Sequence, residues 1–514
     1  MSRMTANKSQ EEALALYEAL TCFNYFPNQR INISELPPSL NTTQFTPEVA
    51  KKLVVLETPK DRQGLGYDLV EYKVTRYNNV PRVLGLAHPK GYAQLVNCIH
   101  DNWSELKSVT ENTNSIIKPQ FYPEDKRVMV MNYEDPLTKV KRSHQSAFAK
   151  RFEVHTDIAN CFNSIYSHAI EWAAVGMTAA KKQRGKRDKW FNRLDALQRN
   201  IKRNETQGIP IGPATSSIVV ELILGAVDEK LRGENYEYHR YIDDYTCYCS
   251  TDDEAQKFIE NLSKFLSEFK LTLNLSKTSV KALPCALEDD WVLEVRGALP
   301  SRLAFADKNE PKLSSTEALT FLNRAIAINK KTPDGSVLKY ATSLIISHLD
   351  EQAPVDLIEA LANLSWHYPV LLPLFDSLLN KGQLNAAVCQ HRLNDIIKEN
   401  ARKIRSDGMA WPLHTMLSHD IVVDEETAIK VVKSGDCVAI TLLLEMNNHN
   451  EIIIKFAECV IKKDDHYEKD RYWLLLYQLY RKDLLNEEPY KDGVFKCLKE
   501  HDVNFFHKKE KKNT

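Results

Sequence analysis

Hydrophobic and polar positions follow two different patterns along the chain. Up to about residue 300, short runs of β-branched and aromatic residues occur between helical stretches; examples are EVHTDI (153–158), RVMVMNY (127–133) and HRYIDDYTCYCS (239–250). Such runs predict strands. After about residue 312 the apolar residues recur every three or four positions, which predicts helices. The first of these helices is predicted to begin at Ser314, because Glu317 three residues later completes a capping-box signature. We place the boundary between the two regions at 295–312.

The C-terminal region is predicted to be helical throughout. The helical stretches are SVLKYATSLIISHL, PVDLIEALANLSW, LNAAVCQHRLNDIIKENARK, DEETAIKVVKS, NEIIIKFAECVIKK and DRYWLLLYQLYRK. Helices of this length joined by short turns are typical of an α-solenoid of HEAT-like character. An ordinary helical bundle stays open, because no residue signature repeats. The ending HKKEKKNT predicts a basic tail that frays.

Composition excludes several classes of protein. A chain of 514 residues has room for roughly three domain-sized units. The 43% of hydrophobic residues and the low Gly and Pro counts of 16 and 21 exclude a disordered or collagenous chain. None of the 10 cysteines forms a CxxC pair, which argues against zinc ribbons and thioredoxin-type sites. Neither a membrane span nor a signal peptide is predicted, so we expect a cytoplasmic protein.

Three carboxylates stand out from the rest. Asp157 ends a strand-like run, and Asp243 and Asp244 interrupt an aromatic one. Because adjacent like charges are disfavoured within a strand, the pair is predicted at the tip of a hairpin. Carboxylates from two strands can share divalent cations, which cancel their repulsion. The alternatives are a helix cap for Asp157 and a solvated turn for the pair. The other Asp-Asp pairs, at 252–253, 289–290 and 464–465, lack strand-forming aromatics on both sides.

Between these carboxylates lies a glycine-containing loop, QGIPIGP (207–213), followed by a long apolar helix. Glycine allows a backbone to approach a ligand closely. There is no GxGxxG or Walker A sequence, so a P-loop is excluded.

Taken in order, the motifs TDIANCF (156–162), QGIPIGP, YIDD (241–244) and LNLSKT (273–278) resemble the palm of a reverse transcriptase. The resemblance implies an α+β right-hand polymerase with fingers and a ferredoxin-like palm in residues 1–300. Residues 301–514 would then be an all-α, HEAT-like helical-repeat domain that replaces the thumb.

The resemblance also implies a two-metal site for phosphoryl transfer. By motif, Asp157, Asp243 and Asp244 would be the catalytic carboxylates and would hold two ions of Mg²⁺ or Mn²⁺ together with the backbone carbonyl of Ile158. In such sites the metals activate the attacking hydroxyl and stabilise the leaving pyrophosphate, while the protein supplies position and charge.

Nucleotide contacts follow from the same resemblance. Gln207 and Gly208 would approach the incoming nucleotide, and Lys277 would lie near its triphosphate. Phe162, five residues after Asp157, would exclude a 2′-hydroxyl and so select deoxynucleotides, because a rigid ring against the sugar leaves no room for it. The alternative for Phe162 is an ordinary core aromatic.

Cations for the triphosphate and for nucleic acid are less clearly marked. Lys118, Lys126 and Arg127 are candidates from the fingers; Arg127 is preferred because it begins a predicted strand, and a surface cation is the alternative. Residues 181–203 hold ten Lys and Arg against two Asp, although the formal net charge of the chain is -1. This segment predicts a phosphate-backbone contact, with Trp190 and Phe191 stacking on bases, rather than only a solvated helix face. Its first cations are Lys181, Lys182, Arg184, Lys186, Arg187 and Lys189.

The segment TDIANCFNSIYSHAIEWA, with the helical C-terminal half, resembles the abortive-infection reverse transcriptases of bacterial phage defence, the AbiK-like group that includes the P2-prophage type. The resemblance implies homo-oligomers that polymerise dNTPs into single-stranded DNA without a template, in abortive infection that gives phage resistance. It also implies a product attached to a protein tyrosine, whose position we leave open; Tyr17 is predicted to be core. The alternatives are a templated enzyme with a partner RNA, an RNA-synthesising enzyme, and a catalytically dead palm that serves as a scaffold.

Overall fold

The computed structural model describes residues 11–27, 35–76, 80–122, 126–130, 134–186, 188–304, 312–333, 336–381 and 389–507. In the N-terminal region a helix over 11–18 continues into a π-helical turn, Ala19–Phe23. The α-helices that follow are Pro47–Val55, Pro89–Asp101, Trp103–Leu106, Ser108–Glu111, Pro136–Ala147, Cys161–Ser164, Ala169–Val175, Met177–Lys182, Trp190–Asn200, Ala214–Gly233, Asp252–Glu268, Asp290–Gly297 and Ser301–Ala304. Residues 508–514 of the predicted tail (507–514) and residue Arg187 lie outside the described residues.

In the parts of the chain that the structure describes, six strands form two antiparallel sheets. β1 (Leu69–Val74) and β2 (Arg82–Ala87) make a hairpin. The second sheet contains β3 (Phe152–Asp157), β4 (Glu237–Tyr241), β5 (Asp244–Cys249) and β6 (Ser279–Ala282) in the order β4-β5-β3-β6.

The four-stranded sheet has the ferredoxin-like arrangement that the motifs imply. Helix Ala214–Gly233 precedes β4, and helix Asp252–Glu268 connects β5 to β6, which completes a β-α-β-β-α-β unit. Phe258 and Leu262 of the second helix are fully buried, and this helix packs against β3 and β5. The sheet and these two helices therefore fix where β3 and the β4–β5 hairpin end.

The C-terminal region is helical within the described residues, as predicted. Ser314 and Glu317 form the predicted capping box. The stretch DRYWLLLYQLYRK was predicted as one helix and is two, because the chain leaves helical geometry at Tyr472 (φ -121°, ψ 16°). The helices are Ser315–Lys331, Ser336–Ile346, Ala353–His367, Leu372–Lys381, Gln390–Arg402, Ser406–Ser418, Glu425–Ser434, Cys437–Leu444, Asn450–Lys462, His466–Arg471, Trp473–Arg481 and Val494–Glu500. That these helices form HEAT-like repeats stays a prediction.

Helices near the C-terminus pack on the β1–β2 hairpin. The indole nitrogen of Trp473 donates a hydrogen bond to the Leu86 carbonyl (3.1 Å). The Asp407 carboxylate accepts hydrogen bonds from the backbone and the hydroxyl of Thr75, each at 2.8 Å. The Asn41 backbone donates to the Phe505 carbonyl (3.1 Å). The helical region therefore shares an interface with residues 41–86 of the N-terminal region.

The strand predicted at RVMVMNY is wrong for residues 127–130, which are not in a strand; 131–133 lie outside the described residues. Two backbone N–H groups and one carbonyl of this segment pair with a side chain. Asn24 accepts hydrogen bonds from the backbones of Val128 (2.9 Å) and Met129 (3.2 Å) and donates to the Met129 carbonyl (2.9 Å). Separately, none of the helices in the described parts of the chain has the length and apolarity needed to cross a membrane.

Candidate active site

The three predicted carboxylates lie at one end of the palm sheet. Asp157, the last residue of β3, pairs directly with Asp244, the first residue of β5. Asp243 directly precedes Asp244 in the chain, and its carbonyl accepts a hydrogen bond from the backbone of Ile158 (3.2 Å). The Asp157 carbonyl accepts one from the backbone of Asn274 (2.7 Å), which fixes the end of β3 from its other side. The structure thus brings together the residues that sequence assigned to the metal site.

Asp243 lies in the tight turn between β4 and β5, as predicted for a hairpin tip, whereas Asp244, predicted in the same turn, is already the first residue of β5. Tyr241 pairs with Asp244, so Ile242 and Asp243 form the loop. Ile242 has a positive φ of 58°. A β-branched residue avoids this conformation, and strain of this kind costs about 1–3 kcal/mol and persists only where the surroundings impose it.

Burial and mutual repulsion perturb these carboxylates. Burial, followed by repulsion from Asp244 and Asp157, raises the pKa of Asp243 to about 6. The pKa of Asp244 is also raised to about 6, by burial and by Asp157. His155 lies 4.0 Å from Asp244, but burial lowers the pKa of its imidazole, so it adds no positive charge at neutral pH. A divalent cation would relieve this repulsion, and a site made only of oxygen donors fits Mg²⁺ or Mn²⁺.

Lys277 contacts the same cluster. Its ammonium group donates a hydrogen bond to the Asp157 carboxylate, and this bond raises the pKa of Lys277. The side chain is otherwise 62% exposed, so it can leave Asp157 without disturbing the core. The structure therefore places Lys277 at the carboxylates, and its predicted role near the triphosphate stays a prediction.

A different set of residues offers the most compact group of possible ligands. Three residues within the described parts of the chain, His168, Glu171 and Asp195, each offer one ligand atom, and these three atoms all lie within 4.8 Å of one another. Asp195 is already paired with His168 (3.0 Å) and Arg199 (3.2 Å). Its charge is therefore compensated by protein cations, unlike the charges of Asp243 and Asp244.

The glycine loop lies against the segment that follows β3. The backbone of Gly208 donates a hydrogen bond to the Ile165 carbonyl (2.7 Å), and that of Ile209 donates to the Phe162 carbonyl (2.9 Å). The side-chain amide of Gln207 donates to the Ser164 carbonyl (3.0 Å). Gly208 has a φ of 80°, and a β-carbon there would lie 3.1 Å from the Asn163 carbonyl oxygen. This close packing at a positive φ explains the glycine.

Phe162 is therefore beside the predicted nucleotide loop. It lies in the short helix Cys161–Ser164 and is partly buried against the core. Its contact with the loop through Ile209 joins the first and second palm motifs. The exclusion of a 2′-hydroxyl by Phe162 stays a prediction.

The fingers cations make contacts of their own. Lys118 donates a hydrogen bond to the Asn112 carbonyl (2.9 Å), and Lys126 pairs with Glu18 (3.3 Å). The carbonyl of Arg127 accepts a hydrogen bond from Tyr122 (2.9 Å) in an isolated bridge. The reason for preferring Arg127, its place at the start of a strand, was wrong; its contact with the nucleotide stays a prediction.

The basic segment is solvent-facing in part. Five of its predicted cations are exposed: Lys181, Lys182, Arg184, Lys186 and Lys189. Phe191 is only 4% exposed and belongs to the protein core, so its predicted stacking on bases is wrong. Phe191 is the second residue of the amphipathic helix Trp190–Asn200, and it lies on the buried face of this helix together with Leu194.

Sequence reasoning missed a buried ion-pair network behind the hairpin. Arg240 of β4 pairs with Glu221 (2.8 Å) and Asp228 (2.8 Å), both on helix Ala214–Gly233. A usable signal was present, since Glu221 interrupts the apolar run 218–224 and Asp228 follows it by two turns. A charge in such a run needs a buried partner.

Comparison with known proteins identifies the fold around this site. Residues 93–316 match the family model described as "Reverse transcriptase (RNA-dependent DNA polymerase)". No curated protein matches the sequence. Among solved structures, the chain is similar to the apo telomerase of Candida tropicalis truncated from the C-terminal domain, at 12% identity and a TM-score of 0.30, over 46% of this chain and 53% of that one. The chain thus spans about half the length of that structure.

Two longer telomerase structures give comparable values. The apo telomerase of Candida tropicalis is 11% identical over 77% of this chain and 71% of that one, with a TM-score of 0.31. The telomerase of Candida albicans in complex with a TWJ fragment of telomeric RNA is 10% identical over 80% and 65%, with a TM-score of 0.29. The range 93–316 that matches this family model holds all the predicted site residues, Asp157, Asp243 and Asp244 among them.

Proposed function

We propose that this protein is a DNA polymerase that adds deoxynucleotides at Asp157, Asp243 and Asp244. The observation that carries the proposal is the convergence of these carboxylates at the end of β3 and β5, with pKa values of Asp243 and Asp244 raised to about 6 by burial and repulsion. When bound there, two divalent cations activate the attacking hydroxyl and stabilise the leaving pyrophosphate.

The protein itself positions the reactants. The β3 and β5 strands hold Asp157 and Asp244 in register, and the hairpin turn presents Asp243 beside them. The backbone of the glycine loop is hydrogen-bonded to the backbone carbonyl of Phe162 next to β3, so the loop and the Phe162 ring lie together where they bind the incoming deoxynucleotide. Lys277 is bonded to Asp157 and otherwise exposed, so its ammonium group would be available to the triphosphate if a divalent cation took its place at that carboxylate.

The finer proposal is untemplated synthesis in abortive-infection defence against phage, with the product attached to a tyrosine. Its support is the resemblance of 156–173 and of the helical C-terminal half to the abortive-infection group. A tyrosine hydroxyl can replace a 3′-hydroxyl as the nucleophile. Tyr17 and Tyr25 are fully buried and donate hydrogen bonds to Asn97 and to the Ala87 carbonyl, so neither is the primer in this fold.

Purified protein incubated with labelled dNTPs and Mg²⁺ or Mn²⁺, without nucleic acid, tests this proposal on a denaturing gel. We expect labelled product that stays with the protein until protease is added. The variant Asp243→Asn/Asp244→Asn should abolish it. Asp252→Asn/Asp253→Asn is a matched control, because it changes an exposed adjacent pair at a helix start outside the site.

Each outcome discriminates between functions. Full activity of the Asp243→Asn/Asp244→Asn variant would refute the site. Synthesis only after addition of an RNA template and primer would replace untemplated synthesis by the templated alternative. A protein that binds Mn²⁺ yet polymerises under neither condition would be the scaffold.

A further inference from the structure

Arg240 lies directly behind the turn that carries the two adjacent carboxylates. It is on β4, two residues before Ile242, and its side chain is completely buried. One guanidinium nitrogen, Nη1, donates a hydrogen bond of 2.7 Å to the Ile242 carbonyl. That carbonyl belongs to the peptide group that joins Ile242 to Asp243. The contact therefore fixes the orientation of the peptide from which Asp243 projects.

The guanidinium group is itself held on all sides. Nη1 and Nη2 donate to the two oxygens of Glu221 at 2.8 and 3.0 Å. Nε and Nη2 donate to one oxygen of Asp228 at 3.0 and 2.8 Å. Together with the Ile242 contact, these bonds use all five N–H groups that an arginine side chain offers.

The surroundings of this network are also fixed. The side-chain amide of Asn112 donates to the same Asp228 oxygen (2.7 Å). The backbone of Arg240 donates to the Asn114 carbonyl (2.7 Å), and its own carbonyl accepts from Ile116 (2.9 Å). Helix Ala214–Gly233 and the segment 112–116 thus clamp β4 from two directions, which leaves the guanidinium one orientation.

The turn needs such a support. Ile242 has a positive φ of 58°, which a β-branched side chain disfavours. Repulsion between the neighbouring carboxylates adds to the tendency of the turn to open. A buried donor that binds only when the Ile242 carbonyl points inward stabilises the strained turn over its relaxed alternatives.

We propose that Arg240 is a positioning residue for metal binding: it holds the Ile242 carbonyl, and through it the turn that presents Asp243 and Asp244 to the cations. Glu221 and Asp228 act only to orient its guanidinium group. A lysine cannot replace it, because a single ammonium on a flexible stem does not reproduce the planar fork that reaches two carboxylates and a carbonyl together. The inference rests on the proposed function as far as these two aspartates bind the cations.

The test measures Mn²⁺ affinity without nucleotide, by titration followed by electron paramagnetic resonance. Arg240→Met alone would leave two buried carboxylates without a partner, so it is combined with Glu221→Gln and Asp228→Asn, which removes all three charges at nearly constant volume. We expect this triple variant to fold, as judged by circular dichroism, and to bind Mn²⁺ about 10–100-fold more weakly than the wild type.

Arg62→Met/Asp470→Asn is the matched control. It removes another buried arginine–aspartate pair, which links the N-terminal segment to helix His466–Arg471 away from the palm sheet. Its Mn²⁺ affinity should equal that of the wild type. Arg240→Lys is the second variant; it keeps the positive charge and should lose affinity to a similar extent as the triple variant.

A folded triple variant with wild-type Mn²⁺ affinity would overturn the proposal. If the triple variant does not fold, Arg240→Lys decides in the same way: weaker binding supports the positioning role and unchanged binding refutes it. The proposed function fails separately, when the wild type binds Mn²⁺ through Asp243 and Asp244 and yet polymerises no nucleotide. The role of Arg240 would then still stand on the affinities.

Discussion

Replacement of Gly208 by alanine should separate close packing at the nucleotide loop from ordinary glycine flexibility. The φ of 80° costs an alanine about 1–2 kcal/mol in any surroundings. At Gly208 the new β-carbon would also lie 3.1 Å from the Asn163 carbonyl oxygen and 3.1 Å from the Lys202 ammonium. The lysine can move, whereas the carbonyl is backbone, so the loop must shift. Overpacking of this kind adds about 1–3 kcal/mol.

Gly493→Ala is the matched control, because Gly493 also has a positive φ, 77°, and nothing within 4 Å of the new β-carbon. Urea unfolding followed by tryptophan fluorescence should show Gly208→Ala to be less stable than Gly493→Ala by about 1–3 kcal/mol. Only Gly208→Ala should also raise the KM for dATP, since its shift breaks the 2.7 Å hydrogen bond to Ile165. Equal stability and equal KM in the two variants would refute the reasoning.

Three further predictions concern single side chains. Burial lowers the pKa of His239 from 6.5 to about 3, so the folded protein loses stability as the pH falls below about 6.5. By pH 5 the loss in the free energy of unfolding is about 2 kcal/mol. In urea unfolding, His239→Gln should therefore lose about 2 kcal/mol less than the wild type between pH 7 and pH 5. An unchanged pH slope in this variant would contradict the assignment. Phe162→Val should raise the ratio of kcat/KM for ATP to that for dATP by about 10–200-fold in a primer-extension or untemplated assay, and a constant ratio would exclude the gate. Lys277→Met should tighten Mn²⁺ binding, measured without nucleotide, by up to about fivefold. The reason is that the ion pair of an exposed ammonium group with Asp157 contributes about 1 kcal/mol or less, and this is the energy that the cation must overcome. Weaker Mn²⁺ binding would mean that Lys277 does not compete with the cation.

The palm could be predicted because its signals are local. Alternation in 153–158 defines β3, and the rule against adjacent like charges in a strand puts Asp243 in a turn. The capping box at Ser314 likewise involves neighbours in sequence. Helix Ser406–Ser418 was missed because all but its last residue are buried, so it has no polar face and no helical period to detect.

The errors arise where a distant residue decides the structure. Residues 127–130 have β-prone side chains, yet the Asn24 side chain, 104 residues before Val128, takes the backbone hydrogen bonds that a strand would need. Phe191 was assigned to base stacking from its basic neighbours, while the apolar period of its own helix buries it. In both cases tertiary packing outweighs local composition.

Charge in this domain is arranged in two layers, and the net charge of -1 conceals both. In the outer layer Asp157, Asp243 and Asp244 repel one another, and Lys277 donates its hydrogen bond to Asp157. In the inner layer Arg240 is saturated by two carboxylates, so its guanidinium is committed to the turn and does not reach out to neutralise the site. A free buried cation there would pair with Asp243 and exclude the metal. Because two inner carboxylates, Glu221 and Asp228, hold one arginine, Arg240 supports the turn without pairing with Asp243 or Asp244. The outer carboxylates therefore stay available for divalent cations.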